Sequence, residues 1–455
     1  MYNLIIYLYL IGVAVYSRFN EKVRKMWCGE RDAFRVLRKK VEPGARYVWF
    51  HAASLGEFEQ GRPLMEEIRR THPELKILLT FFSPSGYEVR KNYEGADIIC
   101  YLPLDTIRNA RRFLRLIRPE MAFFIKYEFW YNYLHILKHR GVPTYSVSSI
   151  FREGQVFFRW YGRQYGRVLK CFTWFYVQNE KSRELLRSIG IENTSVVGDT
   201  RFDRVLQIKE ANEAKVKAPL SSPEGDTIDK FLHSKAIERL RVGDGTSGMA
   251  PSGAVGGACK VFVAGSSWPP DEEIFIRYFR EHPEWKLIIA PHVIGEDHLQ
   301  QIEKLLGNRK AVRYTQAEKG NHSAADNQSA ANSQFSNLNS QILIIDCFGL
   351  LSSIYRYADV TYVGGGFGVG IHNVLEAAVW GKPVIFGPNN KKFQEAQGLK
   401  ACGSGFEINS YEDFCRVMDG FANNPQSLTL TGRQAGEFVE SQAGATKQIL
   451  HDVGL

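Results

Sequence analysis

The chain has 455 residues, of which 44% are hydrophobic and 24% charged, an ordinary composition for a globular protein with room for two or three domains. Its seven cysteines are scattered without a Cys-x-x-Cys pair, which argues against a structural zinc site and a disulfide framework. The net charge of +9 is concentrated near the N-terminus, since residues 1–40 hold nine Lys or Arg against three acids.

The first segment is an apolar run followed by this basic flank. Tyr2–Tyr16 reads YNLIIYLYLIGVAVY and carries no charge, but it is shorter than the roughly 20 residues that a full membrane span prefers. It also lacks the basic start and the cleavage site of a signal peptide. We predict residues 1–40 to be a membrane anchor, as a short span or an interfacial helix, with the remaining chain on the cytoplasmic side. The alternative is the buried first helix of a soluble domain.

Short apolar strands alternate with amphipathic helices from residue 47 to residue 199. Strands are predicted at YVWFHAAS, KILLTFFS, IICYLPL, MAFFIKYE, PTYSVSS, FYVQN and TSVVGD, with helices between most of them. Apolar strands joined by helices build a parallel sheet that is covered on both faces. Residues 41–200 are therefore predicted to form a Rossmann-like α/β domain.

The same alternation resumes at residue 260. The predicted strands are KVFVAGSS, KLIIAPH, ILIID, VTYVGGG and PVIFG. We therefore assign residues 201–455 to a second Rossmann-like domain, with the C-terminal helix as a candidate to return to the first domain. Residues 243–257 and 319–340 are rich in Gly, Ser, Ala and Asn, and we predict them to be flexible insertions without catalytic roles.

The stretch HAASLGEFEQ, residues 51–60, stands where the first strand turns into a helix. Ser54 and Glu57 have the spacing of a capping box, in which the two side chains bond each other's backbone amides. Ligands of open α/β sheets bind at the carboxyl ends of strands, so Glu57 is also a candidate catalytic base. Both interpretations stand at this level.

In the second domain, three strand ends carry candidate nucleotide contacts. The run YVGGGFGVGIHNVLE has five glycines between residues 364 and 370, and such a loop lets backbone amides approach a phosphate. Glu376 follows in a position to accept hydrogen bonds from ribose hydroxyls. His292 in APH and the CFGLL stretch also end strands, although a histidine there is often structural.

Cationic side chains at strand ends of the first domain are candidate anion ligands. Lys126 and Glu128 end one strand and face the same side, either to bind substrate or to pair with each other. Arg201, in GDTRFDR, either clamps a phosphate or pairs with Asp199 or Asp203.

A basic stripe lies on one predicted helix of the first domain. Given the predicted membrane anchor, a phosphorylated lipid headgroup is favoured as its ligand over nucleic acid, and a solvated charged face is the alternative. Its residues are Arg108, Arg111, Arg112, Arg115 and Arg118. No HExxH, Walker or GxSxG motif and no metal-binding acid pair is evident, so we expect no metal and no cofactor.

These motifs, in this order, resemble the 3-deoxy-D-manno-octulosonic acid (Kdo) transferases of lipopolysaccharide synthesis. The similar stretches span residues 1 to about 400 and include WFHAASLGE, TFFSPSG, YEFWYN, VQNE, GDTRFD, AGSSWPPDEE, APH and the glycine-rich run with VLEAAVWGKPVIFGP. The resemblance implies a GT-B fold, with two Rossmann-like domains facing a central cleft. It further implies inverting transfer of Kdo from CMP-Kdo to a hydroxyl of a phosphorylated lipid A precursor of the lipid IVA type, at the cytoplasmic face of the bacterial inner membrane.

The resemblance also implies roles for individual residues. Glu57 matches the family's general base, and Lys126 and Arg201 match its two transition-state stabilisers. Many members carry an acid at the position of Lys126 and a Lys at that of Arg201. The positions that match CMP contacts are Pro291, His292, Phe348, Gly349, Leu350, Asn373, Val374, Leu375 and Glu376. The alternatives are another membrane-associated GT-B enzyme with a different nucleotide sugar, or an inactive nucleotide-binding scaffold.

Overall fold

The computed structural model describes residues 2–217, 228, 231–232, 260–318 and 341–455. The predicted insertions 243–257 and 319–340 lie outside these residues. The chain divides into two units, the first made of Met1–Arg204 with Gln442–Leu455 and the second of Val205–Ser441.

The first unit is an α/β sandwich around one sheet. Its strands are β1 (Tyr47–Ala52), β2 (Lys76–Phe81), β3 (Ile98–Tyr101), β4 (Met121–Ile125), β5 (Thr144–Ser149), β6 (Trp174–Val177) and β7 (Thr194–Val196). Its helices are α1 (Tyr2–Tyr16), α2 (Glu21–Lys40), α3 (Leu55–Thr71), α4 (Pro84–Arg90), α5 (Ile107–Ile117), α6 (Tyr131–His139), α7 (Arg163–Gly166) and α8 (Glu180–Ser188). Short 3-10 turns lie at Val156–Phe158, Trp160–Gly162 and Arg167–Cys171.

All strand pairs of this sheet are parallel, in the order β3-β2-β1-β4-β5-β6-β7. The order reverses direction between β1 and β4, which makes this the switch point at which open α/β sheets bind ligands. One apolar core lies under α2, α5, α6 and α8, and a second lies under α3. Both faces are therefore covered, as the apolar strands predicted.

Helix α2 is an integral part of the first unit, which corrects its prediction as a separate basic flank. Its side chains Ala33, Phe34 and Leu37 are buried in the same core as β3 and α5. At the start of α1, the Tyr2 hydroxyl donates to Asp105 at 2.7 Å. Burial raises the pKa of Asp105 to about 6, against the hydrogen bonds it accepts.

Helix α1 presents an apolar face to the surface. Its exposed large side chains are Leu4, Ile5, Tyr7, Leu8, Tyr9, Ile11, Val15 and Tyr16. Among the described residues, none of the helices has both the length and the apolar character needed to cross a bilayer.

The second unit repeats the architecture of the first. Its strands are β8 (Val261–Ser267), β9 (Lys286–Pro291), β10 (Ala311–Arg313), β11 (Ile342–Ile344), β12 (Val360–Val363), β13 (Val384–Phe386) and β14 (Gly405–Glu407). Helix α9 (Arg201–Lys217) begins in the first unit, and α10 (Pro269–Glu281), α11 (Glu296–Leu306), α12 (Leu351–Ile354), α13 (Leu375–Ala378), α14 (Gln394–Ala401), α15 (Tyr411–Asn423) and α16 (Pro425–Ser441) follow, with a 3-10 turn at Tyr355–Tyr357.

The second sheet is also parallel, in the order β10-β11-β9-β8-β12-β13-β14. Its switch point lies between β8 and β12, so the loops after these strands emerge side by side. Helices α10, α11 and α15 pack a phenylalanine-rich core against one face. The glycine-rich run therefore starts at the position where a ligand is expected.

The last helix, α17 (Ala445–Val453), belongs to the first unit, in which Ile449 and Leu450 join the core under α3. The Asp203 carboxylate stabilises the start of α17, because it accepts hydrogen bonds from the amides of Gly444 at 2.6 Å and Thr446 at 2.7 Å. Arg204 pairs with Glu66 at 3.2 Å. Because both residues are bound to the first unit, the chain divides after Arg204, four residues beyond the predicted boundary.

Replacing Asp203 by Ala is expected to loosen α17, because two backbone amides and the Thr446 hydroxyl lose their acceptor. The free energy of unfolding should fall by about 1–2 kcal/mol, the usual cost of losing a helix cap. Hydrogen exchange should accelerate first in residues 445–453. Glu213→Ala, an exposed change on α9, is the control, and equal protection of α17 in both variants would contradict this role of Asp203.

Candidate active site

The carboxyl edge of the first sheet collects the predicted catalytic side chains of this unit. Glu57 lies in the first turn of α3 after β1, Lys126 directly follows β4, and Arg201 begins α9 after β7. Strands β1 and β4 are neighbours at the switch point. Glu57 and Lys126 are therefore placed on its two sides.

Glu57 is not engaged in the capping box that its spacing predicted. Ser54 is the N-cap residue of α3, but its side chain accepts no hydrogen bond from the backbone there. The Ser54 hydroxyl instead donates to Oε2 of Glu57. Oε1 of Glu57 makes no hydrogen bond within the described part of the chain and is not among its buried unpaired atoms, so it is open to a ligand. A Cβ on Gly56 would meet only the Ser54 Oγ, at 3.8 Å, so this side is uncrowded.

Lys126 sits in a backbone conformation that non-glycine residues rarely adopt. Its φ is 61°, in the left-handed region, which costs such a residue about 1–2 kcal/mol. Its amide donates to the Val147 carbonyl at 2.9 Å, and its carbonyl accepts from the Ser149 hydroxyl at 2.8 Å. Strained residues of this kind cluster at functional sites, so the observation favours a functional role for Lys126.

The strain at Lys126 gives a test that separates stability from activity. Lys126→Gly and Lys126→Ala both remove the cation, and both should lower kcat/KM by about a hundredfold. Only Gly adopts the φ of 61° without cost, so the Gly variant should be more stable than the Ala variant by about 1 kcal/mol. Urea unfolding and steady-state kinetics measure the two effects. Full activity in either variant would remove Lys126 from the site.

Glu128 is hydrogen-bonded to a histidine of β1 and to a nearby indole. Its Oε2 accepts hydrogen bonds from His51 Nε2 at 3.0 Å and from Trp130 Nε1 at 2.7 Å. The other ring nitrogen of His51 contacts the Thr80 hydroxyl at 2.9 Å, which in turn accepts from Trp49 at 2.8 Å. His51 is fully buried. This network ties β1, β2 and the loop after β4 together beneath the candidate site.

Arg201 is held by Asp199, one of the two partners that the sequence left open. Its Nε and Nη2 lie 3.0 and 2.9 Å from Asp199 Oδ2. Asp199 also accepts from Gln60 and Gln178, each at 2.9 Å. Burial alone would raise the pKa of Asp199, but the Arg201 guanidinium and these hydrogen bonds hold it below its usual value. The pair therefore fixes a cation at the sheet edge, with part of its side chain exposed.

Glu57 and the Asp199–Arg201 pair are neighbours. Gln60, which donates to Asp199, is three residues after Glu57 on α3 and so lies on the same helical face. Burial raises the pKa of the Tyr127 hydroxyl, and the Glu57 and Asp199 carboxylates raise it further, against Arg152. Tyr127 is therefore within electrostatic range of both carboxylates.

The second sheet collects the predicted nucleotide contacts at its own carboxyl edge. Pro291 ends β9 and His292 follows it, Phe348–Leu350 lie after β11, and Asn373–Glu376 follow the glycine-rich loop after β12. Glu376 accepts a hydrogen bond from Ser352 at 2.7 Å, which links the second and third stretches. All three stretches are therefore at one edge of one sheet.

The character of these stretches limits how each can contact a ligand. Val374 and Leu375 are fully buried and the Leu375 amide donates to Asn373 Oδ1 at 3.2 Å, so the structure does not expose these two predicted contacts to a ligand. Phe348 is 77% exposed and Gly349 has φ of 97°, which together present an aromatic ring on a tight turn. Helix α13 has only four residues, so its dipole is too short to contribute much to the binding of an anion.

Two residues of this edge escaped the sequence analysis. The Trp268 indole Nε1 donates to His372 Nε2 at 3.2 Å, and the His292 ring stacks on both rings, at centroid distances of 4.8 Å to Trp268 and 4.4 Å to His372. Burial lowers the pKa of His292, and burial together with His292 lowers that of His372 to about 4. In the sequence, only their positions after strand ends could have pointed to Trp268 and His372.

Asp271 supports the start of the glycine-rich loop. Its carboxylate accepts from the amides of Gly365 and Trp268, each at 2.9 Å, and from the Tyr362 hydroxyl at 2.7 Å. Burial raises its pKa. A Cβ on Gly364 would collide with the Ser266 carbonyl, so glycine is required there by close packing. The loop is thus anchored to the strand end that carries Trp268.

The basic stripe on α5 extends away from the catalytic edge. The Glu120 amide donates to the carbonyl of Tyr47, the first residue of β1. Arg115 and Arg118, shortly before Glu120, therefore lie near the amino end of this strand, about one strand length from Glu57 at its carboxyl end. With Arg140 they line a cavity of about 350 Å³. Arg112 instead lies over the Phe34 ring, beside a second basic cavity of about 510 Å³ along α2. Among the described residues, no group of His, Cys, Asp and Glu is arranged to hold a metal ion.

Comparison with known proteins links the first unit to one family. Residues 28–204 match the family model described as 3-deoxy-D-manno-octulosonic-acid transferase. The chain is 24% identical over 400 residues to the 3-deoxy-D-manno-octulosonic acid transferase of Rickettsia felis, covering 87% of this chain and 76% of that protein. It is 24% identical over 368 residues to the Aquifex aeolicus transferase, covering 79% and 82%. The chain is a glycosyltransferase related to the Kdo transferases.

A longer relative and two solved structures are also similar to this chain. A bifunctional glycosyltransferase/methyltransferase of Fusobacterium nucleatum is 25% identical over 440 residues, and the chain spans 60% of its length. Among solved structures, UDP-GlcNAc 2-epimerase of Neisseria meningitidis has a TM-score of 0.55 at 13% identity, covering 90% of this chain and 99% of that one. MurG of Acinetobacter baumannii has a TM-score of 0.51 at 12% identity, covering 90% and 99%. The predicted GT-B class of two Rossmann-like domains is confirmed.

Proposed function

We propose that this protein transfers Kdo from CMP-Kdo to a hydroxyl of a phosphorylated lipid A precursor of the lipid IVA type, with inversion at the anomeric carbon. The observation that carries the proposal is the grouping of Glu57, Lys126 and Arg201 at the carboxyl edge of one sheet. That sheet lies within the residues matched by the Kdo transferase model.

Glu57 is the proposed general base. Its Oε1 takes the proton of the acceptor hydroxyl as the hydroxyl oxygen forms a bond to C2 of Kdo and the bond from C2 to the CMP phosphate oxygen breaks. Ser54 bonds the other oxygen, Oε2, and so orients the carboxylate without blocking Oε1. The start of α3 favours the negative charge of Glu57 by about 0.3–1 kcal/mol.

Lys126 and Arg201 are the proposed stabilisers of the developing negative charge. Arg201 is oriented before substrate arrives, because Asp199 fixes two of its nitrogens. Such preorganised cations stabilise a leaving phosphate without a reorganisation cost during the reaction. The sugar carboxylate of Kdo is a second anionic group for Lys126. No metal ion or cofactor is needed in this scheme.

The proposed nucleotide contacts lie on the second unit. The exposed part of the glycine-rich loop around Val369, the exposed Phe348 ring and the Glu376 carboxylate are the proposed contacts for a phosphate, a base and a ribose respectively. Asn373 donates to Glu376 at 3.2 Å and so helps to orient it. The sequence resemblance implied only which residues contact the nucleotide, and these assignments name the group of each ligand that they would contact.

We also propose that the enzyme works on the cytoplasmic side of the bacterial inner membrane, with membrane lipids and the lipid acceptor as partners and without nucleic acid. The exposed apolar face of α1 is followed along the chain by the basic residues of α2, a combination that suits an interface with anionic lipid headgroups. Vesicle flotation tests this attachment. Recovery in the soluble fraction, unchanged by anionic lipid, would contradict it.

A donor screen tests the chemistry of the proposal. CMP-Kdo, UDP-N-acetylglucosamine and UDP-glucose are each incubated with the full chain and a tetra-acylated disaccharide bisphosphate. Release of CMP that depends on the acceptor is expected, with no release of UDP. Release of UDP would support the alternative of another GT-B enzyme, whose fold is similar to that of the UDP-GlcNAc 2-epimerase above.

A further inference from the structure

We propose that His372 binds the donor nucleotide directly, as a neutral imidazole whose Nδ1–H donates a hydrogen bond to an anionic phosphate oxygen, and that Trp268 fixes this tautomer. The inference rests on the proposed function for the identity of the nucleotide. It adds a ligand contact and a positioning residue that neither the sequence motifs nor the comparisons assign.

The location of the cluster comes from three adjacent strands. Trp268 follows β8, His292 follows β9 and the loop that leads to His372 follows β12, and β8 pairs with both of the others. The His372 amide donates to the Gly364 carbonyl at 3.1 Å, which holds it against the start of the glycine-rich loop. The imidazole is therefore at the switch point of this sheet, where a ligand is expected.

The hydrogen bond from Trp268 determines the protonation of His372. An indole Nε1 is only a donor, so the His372 Nε2 at 3.2 Å must accept. A nitrogen that accepts carries no proton, and a neutral imidazole then carries its one proton on Nδ1. The ring is consequently a hydrogen-bond donor on its other side.

That other side is open. A Cβ on Gly365 would meet Cδ2 of His372 at 3.1 Å and Nε2 at 3.3 Å, so the edge with these two atoms faces the loop. Nδ1 stands on the opposite side of the ring. It makes no hydrogen bond to the described residues and is not among their buried unpaired atoms. The donor is therefore accessible to a ligand that enters this edge of the sheet.

The surroundings keep His372 neutral. The stacked His292 ring is the titratable neighbour that, after burial, lowers the pKa of His372. The nearby carboxylates are already bonded elsewhere, since Asp271 holds Gly365 and Trp268 while Glu376 holds Ser352 and Asn373. If His372 is a neutral donor, it makes no pH-dependent contribution to nucleotide binding between about pH 5.5 and 8. If it bound as a histidinium, nucleotide affinity would fall as pH rises through about 6.5.

Two measurements on the full chain test the proposal. In the wild-type protein, ¹⁵N NMR of the imidazoles should show His372 protonated on Nδ1 alone at pH 7, and CMP should shift that resonance. Calorimetric titration with CMP compares His372→Phe, which keeps a ring for stacking but has no donor, with His372→Asn, which keeps an N–H near the place of Nδ1. We expect about tenfold to a hundredfold weaker binding for the Phe variant, and partial recovery for the Asn variant.

Trp268→Phe tests the positioning role, because it keeps an aromatic ring but releases Nε2. The His372 spectrum should then show a mixture of tautomers, with weaker binding of CMP. His451→Phe, an exposed change on α17, should bind CMP like the wild type. A histidinium or an Nε2–H tautomer in the wild type, or unchanged affinity in His372→Phe, would overturn the proposal.

Titration with UDP runs in parallel and keeps the two proposals separate. Preference for UDP, with the same His372 effects, would refute the CMP donor while leaving the role of His372 intact. Binding of neither nucleotide by the wild type would overturn the role of His372 as well.

Discussion

Glu57→Gln is expected to lower kcat for glycosyl transfer by about a hundredfold to ten-thousandfold, which is the range that general-base catalysis supplies. The amide has nearly the same shape as the carboxylate and can keep the Ser54 contact through its oxygen, but it cannot take a proton from the acceptor hydroxyl. Steady-state kinetics with saturating CMP-Kdo measure the loss. Calorimetry should show CMP affinity unchanged, because the proposed nucleotide contacts lie on the second unit.

Glu67→Gln is the matched control for Glu57, since Glu67 lies on the same helix and pairs only at the surface with Arg70. Its activity should equal that of the wild type. If Glu57→Gln turned over substrate at a similar rate to this control, the assignment of Glu57 as the base would be wrong.

Arg201→Ala should reduce both catalysis and stability. Loss of a preorganised charge at the leaving group should lower kcat/KM by about a hundredfold to a thousandfold, with part of the rate retained in Arg201→Lys, which keeps the charge but not the two-nitrogen grip on Asp199. The buried Asp199 would lose its cation, which should lower the free energy of unfolding at pH 7 by about 3 kcal/mol. Kinetics and urea unfolding measure the two losses.

The stability part of this prediction has a definite pH dependence. The pKa of Asp199 is lowered in the folded protein, so the pair contributes stability above the unfolded pKa of about 3.9 and loses it as pH falls through the folded pKa. The difference between wild type and Arg201→Ala should thus be constant near neutral pH and shrink below about pH 4. Arg183→Ala, at a surface pair with Glu180, is the control. Equal stability of Arg201→Ala and this control at pH 7 would contradict the buried pair.

The sequence predicted the two α/β units because their long strands are continuous apolar runs with clear helices between them. It missed β10 (Ala311–Arg313) and β14 (Gly405–Glu407), which are three-residue edge strands and too short for any periodicity to appear. It also treated α2 as a flank, because nine basic residues in a short segment obscured the buried stripe of Ala33, Phe34 and Leu37.

The sequence predicted where the candidate site lies, but not which of its side chains form hydrogen bonds and ion pairs with one another. Strand-end motifs placed Glu57, Lys126 and Arg201 at one edge, since all strands are parallel. Spacing could not decide between Asp199 and Asp203 as partner of Arg201. Tertiary contacts decide it: Asp199 faces Gln60 and Gln178, whereas Asp203 faces the start of α17. Pairs such as His51 with Glu128 and Trp268 with His372 join residues 77 and 104 positions apart, which one sequence alone does not reveal.

The most direct test of the central claim is mass spectrometry of the product formed by the full chain from CMP-Kdo and a tetra-acylated disaccharide bisphosphate. Kdo transfer predicts an acceptor whose mass increases by one or more Kdo residues, in amounts equal to the CMP released, and absent with Glu57→Gln. An unmodified acceptor in the presence of intact CMP-Kdo, or an acceptor modified only when a UDP-sugar is supplied, would contradict it.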